Sequence, residues 1–147
     1  MPALIRAQTN ALIEARLVVQ PEVARLAAER RTATDLKALE MVLDGQQRFA
    51  TGGSTDRATK FGVEFDIRLA EAARNEVLAG MVRSLFHLML ERAPRLYELS
   101  KGFGAWDVEE HRGIYLAVRD ADGERAASRM RDHVLAIRSL YEGLDAG

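Results

Sequence analysis

The chain has 147 residues, with 21 Lys and Arg against 22 Asp and Glu, a net charge of −1 and no cysteine. That length suits one domain around one core. The balanced charge leaves no basic surplus for nucleic acid, and the absence of cysteine excludes disulfides and thiolate metal sites, in keeping with a cytoplasmic protein. The longest apolar stretch, Leu85 to Leu90, is interrupted by His87 and is far too short for a membrane span; no signal-peptide pattern opens the chain.

Taken in order, Leu4 to Arg31 predicts a long helix with Leu12, Val19, Val23, Leu26 and Ala27 at helical spacing. Pro21 lies inside that pattern, so a kink or break is expected between Val19 and Glu22. Arg16 shares the apolar face, either snorkelling to the surface or waiting in a pocket for a carboxylate. Thr32 to Asp35 supplies capping residues for a second helix to about Phe49, with Leu36, Leu39, Val42 and Leu43 inward. Thr51 to Thr55 is the clearest loop.

A third helix is expected from about Asp56 to Ala73, burying Phe61, Phe65, Leu69 and Ala72. Asp66 borders that stripe, where a carboxylate needs a cation, a metal or several donors. Asn75 reads as the cap of a fourth helix, Glu76 to about Arg92, with Val77, Leu78, Met81, Val82, Leu85 and Met89 as its core face and His87 opposite. Pro94, a short helical piece from Arg95 to Ser100 and a Gly102-Phe103-Gly104 turn follow.

Trp106 to Tyr141 predicts two helices joined at Asp120-Ala121-Asp122-Gly123. His111 and His133 each lie about ten residues from that turn, so an antiparallel pair brings them to one height. Both fall on apolar faces, where an unpartnered imidazole is costly. No strand-like alternation, repeat, phosphate-binding glycine loop or nucleophile motif is present. The expectation is an all-α, antiparallel bundle of about six or seven helices.

Asp66, His111 and His133 are the candidate metal ligands, one from each of three helices. Two imidazoles and a carboxylate suit a divalent transition metal (zinc, nickel or manganese) with open positions. The same residues also suit ordinary core hydrogen bonding.

The sequence resembles the effector-binding and dimerisation domain, called FCD, of FadR-type GntR transcriptional regulators. The resemblance runs over Glu14-Ala15-Arg16, Pro21 to Arg30, Thr34-Asp35-Leu36, Phe65 to Asn75, Glu110 to Ile114, Asp122 to Ala127 and Met130 to His133. It implies a helical bundle, a homodimer, an effector that is a small organic acid, a sugar acid or a fatty acyl derivative, and ligand-binding roles for Arg16 and Asn75. It also implies a metal held by an Asp and a His four residues apart on one helix plus two further His on the last helix pair. The last two match His111 and His133. The first pair falls on Gly62 and Asp66, so this chain departs there: Gly62 ligates nothing, and a carboxylate stands where the resemblance implies an imidazole.

The whole chain, 1–147, is thus expected to be a single effector-binding and dimerisation domain. The winged-helix DNA-binding domain that the resemblance implies is not in it, so the expectation is either a fragment, whose DNA contact belongs to a part outside this chain, or a free-standing effector domain. The function expected is ligand sensing, not catalysis. The alternatives are a metal-dependent hydrolase, for which Glu110 is a poor general base because it points about 100° away from His111 around the helix, and a structural bundle without ligand.

Overall fold

A computed structural model describes residues 1–146; Gly147, the last residue of the expected domain, lies outside them. Among the described residues there are seven helices and no strand: α1 (Ala3–Arg30), α2 (Ala33–Ala50), α3 (Thr55–Ala72), α4 (Glu76–Arg92), α5 (Leu96–Leu99), α6 (Phe103–Arg119) and α7 (Gly123–Ala146). No helix is long and apolar enough to cross a membrane. The expected all-α bundle is what forms.

Local chemistry sets the helix starts. The Thr32 hydroxyl accepts from the Asp35 amide while the Asp35 carboxylate accepts from the Thr32 amide, a reciprocal cap for α2. Ser54 caps α3 and Asn75 caps α4 through the Leu78 amide. Gly102, at φ +80°, supplies the left-handed turn that admits α6.

Of the kink or break expected at Pro21, the break does not occur: α1 runs unbroken through it. A mid-helix proline costs about 3 kcal/mol. The burial of Val23, Ala24, Leu26, Ala27 and Ala28 beyond it offsets that cost, because α1 packs along α7 and also against α3, α4 and α6.

The core face of α4 is also corrected. Ala79, Val82, Phe86 and Met89 are buried, whereas Val77 is 73% and Met81 49% exposed. Apolar residues surround most of α4, so its periodicity admits two stripes, and the larger Phe86 takes the inward place. His87 is exposed and pairs with Glu91 at 3.2 Å.

Helices α6 and α7 form the expected hairpin, with Ala121 at φ +56° in its turn. The His111 and His133 rings stand 5.1 Å apart between centroids. Near that turn the helices pack through small residues: Ala24, Ala27, Ala28, Ala70, Ala72, Ala73, Ala117 and Ala126 are fully buried. At mid-bundle the interior changes character and becomes polar.

Candidate metal and ligand site

Among the described residues eight polar or charged ones are buried, and seven of them, Arg16, Gln20, Gln46, Asp66, Asp107, His111 and His133, share the polar interior. Of the expected triad, His111 comes from α6, His133 from α7 and Asp66 from α3. Their placement differs from the expectation in one respect. The ligand atoms that lie within 4.8 Å of one another belong to Asp107, His111 and His133. Asp66 stands beside this group, its Oδ2 3.7 Å from His111 Nε2.

Asp107 was legible in principle. It precedes His111 by four residues, and positions i and i+4 share one helix face. Its Oδ1 lies 3.4 Å from His133 Nε2 and 3.6 Å from His111 Nε2. Its Oδ2 accepts from the Tyr97 hydroxyl at 2.6 Å and from Gln46 Nε2 at 2.9 Å. One oxygen is therefore held by the protein, and the other faces the two imidazoles.

The hydrogen bonds also fix both imidazoles. Gln46 points its amide nitrogen at Asp107, so its carbonyl faces His111 Nδ1 at 2.9 Å. That nitrogen must carry the proton, leaving Nε2 as a lone pair. His133 Nδ1 meets Glu110 Oε1 at 3.3 Å, which assigns its tautomer in the same way. Glu110 thus reaches the neighbouring helix's histidine, although it faces away from His111. Its carboxyl is held below the usual range by the His133 bond, against some burial. Stacking on Phe65 at 4.3 Å and on Trp106 at 5.2 Å holds the two rings in plane.

The outcome is a convergence of acceptors. His133 Nε2 is buried without a hydrogen-bond partner, and it faces a carboxylate oxygen, Asp107 Oδ1, at 3.4 Å. Burial drives His111 below its ordinary pKa, against the pull of Asp107 and Asp66, and a neutral imidazole offers its lone pair. Burial pushes the Asp66 carboxyl up, opposed by His111 and Arg16. The Tyr97 hydroxyl is pushed far up by burial and Asp107, so it stays a donor. Lone pairs and carboxylate oxygens facing one another without a donor repel, and a divalent cation removes that repulsion. The donor set fits such an ion: two imidazole nitrogens, one carboxylate oxygen and a second carboxylate in reserve.

A cavity of about 90 Å³ opens beside the cluster, lined by Arg16, Asp66, Phe86, Asp107, His111 and His133 among others. Arg16 is buried there and not snorkelling. Its Nε donates to Gln20 Oε1 at 2.5 Å, its guanidinium lies 4.9 Å from the Phe86 ring centre, and Gln20 Nε2 passes the link to Asp66 Oδ1 at 3.0 Å. Among the described residues no carboxylate pairs directly with Arg16. Asn75 is not brought here: its side chain caps α4, and it does not line the cavity.

Comparison with known proteins followed from this geometry. The model of the FCD domain matches residues 11–136. The chain is 29% identical over 136 residues to the HTH-type transcriptional regulator LutR of Bacillus subtilis, covering 90% of this chain and 61% of that protein. It is 25% identical over 117 residues to the galactonate operon transcriptional repressor of Escherichia coli, covering 80% and 50%. The chain therefore spans between half and two thirds of these relatives, which are transcriptional regulators rather than enzymes. Among solved structures, Streptococcus agalactiae GntR superposes with a TM-score of 0.78 at 22% identity, covering 95% of this chain and 62% of that one, and Escherichia coli McbR/YncC with 0.80 at 19%, covering 93% and 69%. At these identities the superpositions speak for the fold.

Proposed function

The chain belongs to the FCD domain family of GntR-type transcriptional regulators, and on that premise we propose that it is the effector-sensing and dimerisation domain of a FadR-like, cytoplasmic regulator. It binds a small carboxylate in the cavity beside Arg16, next to one divalent metal ion. The observation that carries this reading is the unpartnered, buried Nε2 of His133 facing Asp107 Oδ1, with His111 Nε2 and Asp66 beside it.

His111, His133 and Asp107 would hold the ion, with Asp66 in reach to complete the set. When bound, the ion supplies a positive centre with open positions for an oxygen ligand. The protein's own part is to orient and to exclude. Gln46 and Glu110 present the two imidazoles through Nε2, and Tyr97 and Gln46 turn one oxygen of Asp107 inward. Arg16, which lines the same cavity, offers a second cation, suited to a carboxylate in a planar, two-point contact.

A cavity of about 90 Å³ has room for several waters. It selects a small acid over a fatty acyl chain. Ligand binding would bias two arrangements of a homodimer and so reposition DNA-reading domains that lie outside this chain. Zinc, nickel and manganese all suit the donor set.

Elemental analysis of tag-free protein, prepared without chelator, tests the metal; about one equivalent is expected. Thermal unfolding with millimolar acetate, glycolate and malonate tests the ligand. A rise in Tm that disappears in Arg16→Ala, with helix content unchanged, supports the reading. No metal and no rise with any acid would leave a structural bundle whose histidines are satisfied internally.

A further inference from the structure

Gly62 on α3 faces the same polar interior. A Cβ built on it would lie 3.0 Å from the Tyr97 hydroxyl, 3.2 Å from Asp107 Oδ2 and 3.3 Å from Gln46 Nε2. All three contacts are tighter than ordinary packing, and all three atoms are held to one another by hydrogen bonds. Tyr97 and Gln46 both bond Asp107 Oδ2, and Gln46 also fixes His111. A side chain at position 62 and the carboxylate of Asp107 thus compete for one volume. The glycine clears it, and Asp107 fills it from α6.

We propose that Gly62 and Asp107 act as a unit: the glycine makes room on α3 for a metal-binding carboxylate delivered from α6, and a carboxylate from either backbone position completes the same site. This rests on the reading that His111 and His133 hold a divalent ion. It makes Asp107 a ligand and Tyr97 and Gln46 its positioning residues. It also gives the glycine a role that its backbone does not require, since Gly62 lies in regular α3 helix, where helix propensity alone would favour alanine.

The test is zinc and manganese binding by calorimetry, with metal content and far-ultraviolet circular dichroism, on the 147-residue chain and three variants. In Asp107→Ala, affinity should fall by more than the roughly 10–100-fold that loss of an outer partner costs. Gly62→Asp alone should lower Tm and gain no affinity, because two carboxylates crowd one place. Gly62→Asp combined with Asp107→Ala should recover affinity to within about tenfold of the parent, a return of most of what the loss of one ligand removes. Asp107→Asn keeps the side-chain volume and gives the same readout should the alanine variant fail to fold.

Undiminished binding in both Asp107→Ala and Asp107→Asn would overturn the proposal while leaving the metal reading intact. So would a double variant no better than Asp107→Ala. If the parent takes up neither metal, the metal reading itself falls, and this proposal with it.

Discussion

Two regions of this bundle are equally buried and built on opposite principles. Around the α6–α7 turn, alanines from α1, α3, α6 and α7 meet with no measurable exposure, so the backbones approach closely and no polar atom needs a partner. About one to three turns further along the same helices, Arg16, Asp66, Asp107, His111 and His133 occupy interior positions. The small-residue end is a close-packed seam, sensitive to volume. The polar centre is sensitive to charge, because each buried ionisable group costs several kcal/mol unless something compensates it. Burial alone therefore does not distinguish structure from site; the chemistry of what is buried does.

The comparison can be broken at either end. The largest effect is expected at the polar centre: His111→Ala and His133→Ala should each abolish metal uptake, read by metal content, with circular dichroism showing an intact bundle. Retention of the metal in both would remove these residues from the site. The seam should respond in the opposite sense. Ala27→Leu should lower stability by about 1–3 kcal/mol through overpacking, measured by denaturant unfolding, with metal stoichiometry unchanged.

The smallest effect lies at the surface, where α2 begins. Burial is the largest single influence on the Asp35 carboxyl and raises it, but the hydrogen bonds from Thr32 and Arg74 together outweigh this and hold it below its ordinary pKa. A depressed native pKa means that the unfolded chain binds the proton more readily, so this contribution is present above the unfolded pKa, about 3.9, and lost as pH falls through the lower native value. Asp35→Ala should therefore cost roughly 0.3–1.5 kcal/mol at neutral pH, and the gap to the parent should close below about pH 4. A gap that persists in acid would mean that the side chain acts by packing and not by its charge.

Much of this was legible beforehand. Helical periodicity gave about six or seven helices, and the capping residues around Thr32 and at Asn75 gave two of their starts, because both signals are local; the Ser54 cap of α3 was hidden in what read as a loop. His111 and His133 were placed together by their equal distance from one turn. Three readings needed the fold. Pro21 leaves α1 intact because packing on four neighbours offsets a local defect. The face of α4 was ambiguous because apolar residues surround it. Asp107 was passed over in favour of Asp66, although its spacing from His111 was in plain view.

The sequence by itself determined the all-helical class, the hairpin that carries both histidines, and the family. The class and the hairpin follow from patterns local to one or two helices, and the family from the order and spacing of short segments along the chain. Only the tertiary structure decided which carboxylate faces the imidazoles, that Arg16 turns inward, and that Glu110 and Gln46 hold the rings. Those facts depend on atoms brought within a few ångströms from helices far apart in the chain. No spacing along one helix reports how another helix is rotated against it.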